Sequence, residues 1–337
     1  MHLDPSSIKF VPDIINHMQD QLSMSLYLYR LLYSETGDKK YIENLLYLTP
    51  QVNKLLEARK SDKLVVFGCG IYGDHFLKLY DMPIIYFSDN NEALWGNKFN
   101  NYKIIEPSKI EKDATVIICN KYSHNSIKQQ LQEYGINNIV DFGMEREKAE
   151  DRQYFDLDEM PHTDHETFVD FGAFDGKSSI NFIRWTNNNY KKIYAFEPDP
   201  NNYIKCKDML KTYRNCHIIN KGGWSHTTIL KFSSNGTIGS HVDFSTGNVE
   251  VPVTSLDEVT DEPVTFIKMD IEGSELEALK GCISHIKKDK PKFAISIYHK
   301  PEDIIDIPRF LLDQSNDYKF YIRHYGVFED ETVLYAF

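Results

Sequence analysis

Short apolar runs alternate with amphipathic stretches along most of this chain. Residues 64–67 form an uninterrupted apolar run of strand length, followed by Gly68, Gly70 and Gly73. A helical pattern over 72–79 leads to a second apolar run at 84–87, which ends on Ser88-Asp89. Strands are predicted at 114–119 and 139–140, with a helix at 124–134 between them. The same alternation restarts with strands at 167–169, 193–196, 217–219, 265–269 and 293–297. Helices are predicted near 177–186, 200–212, 274–287 and 302–313, and 319–323 with 332–336 reads as a terminal antiparallel pair. Such alternation implies parallel sheets covered by helices, an α/β fold. Before the first strand, 14–32 and 41–56 carry apolar side chains at three- and four-residue spacing, with 34–39 as the turn between them. That hairpin could cap the first α/β unit or form a dimer surface, so a homo-oligomer stays open. Residues 145–165 are charged, contain Pro161 and have little periodicity, as a connection would. The expected division is a helical segment at 1–60, a small α/β domain at 61–146, a linker at 147–165 and a second α/β domain at 166–337.

A chain of 337 residues has room for those two domains. Its formal charge of −12 argues against coating nucleic acid or an anionic membrane. No run approaches the roughly 18 apolar residues of a membrane helix. No basic stretch followed by an apolar run marks a secretory signal, so a cytoplasmic protein is expected. Cys69, Cys119, Cys206, Cys216 and Cys282 are scattered and lack metal-ligand spacing, which fits reduced thiols.

The chemistry concentrates in the second domain. Phe168-Val169 runs into Asp170-Phe171-Gly172-Ala173-Phe174-Asp175-Gly176. Small residues after a strand let the backbone approach a ligand, and the next helix offers unpaired N–H groups. Carboxylates in that turn suit a pyrophosphate poorly but suit a ligand with a cationic amino-acid tail, such as S-adenosylmethionine. Asp170 could order the turn and attract the ammonium, with Gly172 and Gly176 keeping the wall thin. Glu197 ends the next strand, where a carboxylate can accept from ribose hydroxyls, and Asp199-Pro200 opens a helix. Taken alone, this is also the glycine turn of other Rossmann-like enzymes. Farther on, residues 266–269 deliver Asp270 and Glu272 to the same sheet edge, with Gly273 allowing the turn and Ser274 placed to cap a helix. Residues 295–297 deliver Tyr298-His299-Lys300-Pro301 beside them. His299 has an intrinsic pKa suited to a general base, and Asp270 or Glu272 could orient an acceptor or hold its proton. Each also has a plain structural reading as a cap, a loop contact or a cofactor-positioning group. The spacing demands no metal, although Asp270, Glu272 and His299 could also hold a divalent ion. Lys268 lies beside them, but strand alternation leaves its side undecided. His241 and His324 are weaker loop candidates. Gly222 and Gly223 could make room for an adenine, with Trp224 stacking on it or packing into the sheet.

Taken together, these segments resemble the FkbM family of methyltransferases over residues 166–337. The resemblance rests on 169–173 with Asp175-Gly176, on Phe196-Glu197-Pro198, and on Val253-Thr254-Ser255-Leu256-Asp257. Residues 267–275 and the terminal Thr332-Val333-Leu334-Tyr335 complete it. It implies a class I Rossmann-like methyltransferase domain with a seven-stranded sheet. It also implies S-adenosyl-L-methionine as cofactor and methyl transfer, usually to a hydroxyl oxygen. Asp170, Gly172, Glu197 and Asp270 would line the cofactor pocket, in turns that also contain Ala173, Asp175, Gly176 and Pro198. Catalysis would fall to His299, Asp270 and Glu272.

The first glycine turn has dinucleotide spacing, with Asp89 at the end of the next strand, formally a nicotinamide-cofactor signature. Residues 62–143 also resemble the small Rossmann-like domains attached to some sugar-modifying enzymes, which implies a scaffold or a nucleotide-sugar site. The leading expectation is therefore an O-methyltransferase acting on a glycan, nucleotide-sugar or other polyhydroxylated small molecule, a carbohydrate modification. A nicotinamide-dependent oxidoreductase and a non-catalytic, cofactor-binding assembly protein are the alternatives.

Overall fold

The structure is a computed structural model that describes residues 3–232 and 249–337. The chain divides into two compact units, one formed by residues 28–153 with 324–330, the other by 1–27, 154–323 and 331–337. The helical start is a series of short helices, Val11–His17, Gln21–Thr36, Lys39–Leu46 and Asn53–Ala58, and the division falls inside Gln21–Thr36.

In the unit containing residues 28–153, the apolar runs form β1 (Leu64–Phe67), β2 (Ile84–Ser88), β4 (Tyr102–Ile105), β5 (Thr115–Ile118) and β6 (Asn138–Asp141). These five are parallel, and a two-residue β3 (Lys98–Phe99) pairs antiparallel with β4, giving the order β3-β4-β2-β1-β5-β6. Period-two alternation puts Val65, Phe67, Val116 and Ile118 on one face. They pack with Ile127 and Leu131, one turn apart on the helix His124–Glu133. A further helix, Phe142–Arg152, lies where a connection was expected. It buries only Phe142, Gly143 and Ala149, which explains its weak periodicity, and the Asp141 side chain caps it by accepting from Met144 N–H.

The other unit holds β7 (Thr167–Phe171), β8 (Lys192–Phe196), β9 (Cys216–Ile219), β13 (Phe266–Met269), β14 (Lys292–Ser296), β15 (Phe320–His324) and β16 (Thr332–Ala336). The seven-stranded order is β15-β16-β14-β13-β7-β8-β9. β7, β8, β9, β13 and β14 are parallel, and β16 runs antiparallel to β14. β10 (Gly222–Gly223), β11 (Thr228–Phe232) and β12 (Val249–Thr254) form a separate three-stranded sheet that the apolar pattern did not announce. Aromatic packing fixes the centre: Phe168 stacks on Phe182 at 4.3 Å between centroids, and Phe266 meets Phe168 edge-on at 5.3 Å. From β7 the chain builds outward through β8 and β9, then returns to place β13 on the opposite side. The β7/β13 boundary is therefore a topological switch point, where open α/β sheets form a crevice at the carboxyl ends of the strands.

Candidate active site

At that boundary the β7 turn and the β13 turn touch. Gly172 sits at φ +80°, and a Cβ there would lie 2.0 Å from the Asp270 carbonyl oxygen. The glycine is required by the approach of two backbones, rather than only to thin a ligand wall. Gly172 N–H and Ala173 N–H both donate to the Phe196 carbonyl at 3.1 and 3.0 Å, which ties the turn to β8. Gly176, at φ +93°, precedes the helix Lys177–Trp185, and Asp175 accepts from Lys177 N–H at 3.0 Å.

Asp170 is fully buried. Its Oδ2 accepts from the hydroxyls of Ser178 and Ser179 at 2.6 and 2.7 Å, and its Oδ1 lies 3.1 Å from the Lys268 ammonium. Asp170 and Lys268 are register partners on adjacent parallel strands, so their side chains share a face. Lys268 also donates to the carbonyls of Phe171 and Gly172, at 3.2 and 2.8 Å. This buried pair braces the turn and closes Asp170 off from solvent. Sequence reasoning left Lys268 out; the pairing register was the missing signal.

Glu197, at the end of β8, is also buried. Its two oxygens accept from Phe174 N–H and Asp199 N–H, each at 2.9 Å, and burial raises its pKa against those hydrogen bonds. Each oxygen keeps a lone pair for a further donor such as a ribose hydroxyl. Pro198 follows, and Asp199 caps the helix Pro200–Leu210 by accepting from Asn201 and Asn202 N–H, as its position before Pro200 predicts. Phe174 stands exposed at the mouth of the turn with φ +50°, a ligand-facing candidate not foreseen in the sequence.

The β13 turn carries two consecutive left-handed residues, Glu272 at φ +56° and Gly273 at φ +88°. The Glu272 side chain itself is largely exposed. Ser274, expected to cap the following helix, makes no side-chain cap bond. The Glu275 carboxylate takes the Ile271 N–H instead, at 2.9 Å. The same Glu275 Oε1 accepts from His299 Nδ1 at 2.8 Å. Tyr154 joins this group by donating its hydroxyl to Asp270 Oδ2 at 2.9 Å. Neither Tyr154 nor the role of Glu275 was legible, because nothing in sequence spacing brings residue 154 to residue 270.

The structure thus brings Asp270, Glu272 and His299 together. His299 Nε2 lies 3.4 Å from Asp270 Oδ1 and 3.8 Å from Glu272 Oε2. Burial opposes charge on this ring, but the Glu275 hydrogen bond and the surrounding acids outweigh it and raise the pKa to about 9. At neutral pH the ring carries a proton unless another cation takes its place, so Asp270 and Glu272 are the groups with lone pairs open to an acceptor's proton.

The remaining candidates fall elsewhere. Gly223 makes room for the Phe171 ring, since a Cβ there would lie 2.4 Å from it. Trp224 packs with Leu230 and Val253. His241 lies outside the described residues. His324 is buried and donates to the Phe328 carbonyl at 2.9 Å, and burial lowers its pKa to about 3, so it is a neutral structural group. In the first glycine turn, Asp89 turns back to accept from Cys69 N–H at 2.8 Å, placing a carboxylate on the amides a pyrophosphate would use.

Residues 170–320 match the family model described as the methyltransferase FkbM domain, and residues 60–139 match the model described as C2185-like, N-terminal. Methyltransferase FkbM from Methylobacillus flagellatus KT shares the fold at a TM-score of 0.54 and 22% identity, covering 86% of this chain and 94% of that one. Fibrillarin from Aeropyrum pernix with bound S-adenosyl-L-methionine aligns at a TM-score of 0.36 and 12% identity, over 56% of this chain and 74% of that one. A Streptococcus mutans protein in complex with SAH aligns at 0.34 and 12%, over 51% and 88%. A search of curated proteins gave no match.

Proposed function

We propose that this chain, whose residues 170–320 match the family model described as the methyltransferase FkbM domain, transfers a methyl group from S-adenosylmethionine to a hydroxyl of a polyhydroxylated small molecule, a glycan or nucleotide-sugar. The observation that carries the reading is the convergence at the β7/β13 switch point: the Gly172 turn, Glu197, Asp270 and His299 come from the ends of four neighbouring strands. The residues fit the cofactor by the chemistry of the donor set. Glu197 keeps acceptor capacity for ribose hydroxyls, and the turn from Gly172 to Gly176 leads into the amino-terminal end of the helix Lys177–Trp185, whose dipole favours an anionic group. When bound, S-adenosylmethionine supplies an electrophilic methyl on a sulfonium. The chain's part is to align the acceptor oxygen and receive its proton. Asp270, its far oxygen fixed by Tyr154, presents Oδ1 to the acceptor, with Glu272 as the second proton acceptor and His299 steadying the acceptor oxygen. Two or more adjacent carboxylates at the acceptor end suit hydroxyl-rich molecules better than apolar ones.

Calorimetry on the full chain tests this. S-adenosylmethionine and S-adenosylhomocysteine should bind, and Glu197→Gln should weaken both by about tenfold, the effect of one charge-assisted hydrogen bond. Asp270→Asn should retain binding while lowering methyl transfer to a sugar panel by roughly 100-fold or more. Folded protein that binds neither ligand would sink the reading, and NADH binding in their place would favour the oxidoreductase alternative.

A further inference from the structure

We infer that Asp270, Glu272 and His299 form a binding site for one divalent cation, held ready by Glu275 and Tyr154. Its existence stands on geometry alone; its use, holding the hydroxyls of the acceptor, rests on the methyl-transfer reading above.

The His299 side chain is 8% exposed, and its two nitrogens are in unequal positions. Nδ1 is engaged by Glu275 Oε1 at 2.8 Å, which fixes the ring plane. Nε2 is buried and has no hydrogen-bond partner. A buried nitrogen with ion-pair contacts but no hydrogen bond is costly, and the ring could not rotate to relieve it without losing Glu275. Nε2 points instead at Asp270 Oδ1, 3.4 Å away, and Glu272 Oε2, 3.8 Å away. Both separations exceed a good hydrogen bond, which lies at about 2.7–3.2 Å. They are close to what two atoms show when both ligate one ion: at metal–ligand distances of about 2.0–2.2 Å, neighbouring ligands stand roughly 3.0–3.5 Å apart. Asp270 and His299 already meet that spacing. Glu272 reaches it through a small movement of a side chain that is 70% exposed and free to make it.

The supports match the pattern that metal sites use. A ligating imidazole commonly donates its other nitrogen to a carboxylate, which sets the tautomer and raises basicity. Glu275, fully buried and itself held by Ile271 N–H, is that carboxylate. Asp270 has the equivalent support, since Tyr154 takes Oδ2 and leaves Oδ1 facing Nε2. Asp270, Glu275 and His299 place one ligand-type atom each within 4.8 Å of one another, a group that Glu272 joins only once its side chain swings in. With Glu275 committed to Nδ1, the set facing the ion is two carboxylates and one imidazole. Oxygen-rich ligation with one nitrogen and no thiolate selects a Mn²⁺- or Zn²⁺-type ion over a thiophilic one. Three protein ligands on one side leave positions open on the other, where two vicinal hydroxyls of a sugar would fit.

Manganese binding to the full chain, followed by loss of the free Mn²⁺ electron paramagnetic resonance signal, tests the site without reference to turnover. One ion per chain is expected. His299→Ala should weaken binding at least tenfold. Glu272→Gln alters an exposed side chain and should weaken binding severalfold with an unchanged circular dichroism spectrum, so a folding failure of the histidine variant would leave the test intact. No Mn²⁺ binding at millimolar ion, or equal affinity in the parent and Glu272→Gln, would overturn the site. Calorimetry with S-adenosylmethionine in chelator-treated buffer separates the two ideas. Cofactor binding without Mn²⁺ binding removes the ion site and keeps the methyltransferase reading. Mn²⁺ binding without cofactor binding does the reverse.

Discussion

Asp170 and Lys268 show how one buried pair can brace a turn. Both are buried, and Lys268 spans the carboxylate and the carbonyls of Phe171 and Gly172. Removing one partner of a buried pair leaves the other charge uncompensated, at a cost of about 3–5 kcal/mol. Lys268→Met keeps most of the volume and deletes the charge, so unfolding by urea should show a loss of that size. A loss below about 1 kcal/mol would mean that the two serines alone satisfy Asp170. The pair also marks what the sequence could convey at this scale. The types and positions of Asp170, Glu197, Asp270 and His299 were legible, because strand ends at a sheet edge are where such groups collect. Their partners were not. Lys268 needed the β7/β13 register, Tyr154 needed a contact across the intervening chain, and Glu275 needed the backbone reversal at Glu272 and Gly273.

Strands and the helices that cover them were largely readable from apolar runs, since β7, β13 and β14 bury nearly every side chain. Elements that bury little escaped. The helix Phe142–Arg152 shows one small buried stripe, and β10 is two glycines whose place is set by the Phe171 ring. Turn geometry lies between these cases. The glycines of the β7 turn were visible, but the reason Gly172 cannot change is the Asp270 carbonyl that faces it. Gly172→Ala must both hold a side chain at φ +80° and relieve a 2.0 Å overlap with backbone. Left-handed strain alone costs about 1–2 kcal/mol, and separating two parallel strands adds to it. The expected outcome is a loss of more than 2 kcal/mol in stability, together with weakened S-adenosylmethionine binding. A variant as stable as the parent would show that the β7 and β13 turns are not pressed together.

At the scale of the whole molecule, the chain does not divide as a string of consecutive domains. It crosses between the two units after Tyr27, Gln153, Arg323 and Asp330. The unit with the seven-stranded sheet therefore includes residues 1–27, which sequence periodicity grouped with the helices that follow. The reason lies in β15, at the edge of the seven-stranded sheet. Gln19 N–H donates to the Phe320 carbonyl at 3.0 Å, and Ser23 Oγ accepts from Ile322 N–H at 2.9 Å. Arg323 reaches Asp20 at 2.8 Å. Ile14, Met18, Leu26 and Tyr27 are buried. An exposed strand edge is a template for aggregation, and this segment covers part of it. A fragment of residues 154–337, which lacks this segment, should then melt at least ~10 °C below the full chain and aggregate at lower concentration. A synthetic peptide of residues 1–27 added in trans should recover part of the difference, because it restores the backbone bonds at β15 rather than general solubility. A fragment that melts with the full chain, or one the peptide leaves unchanged, would show that the amino-terminal segment is an accessory to this sheet.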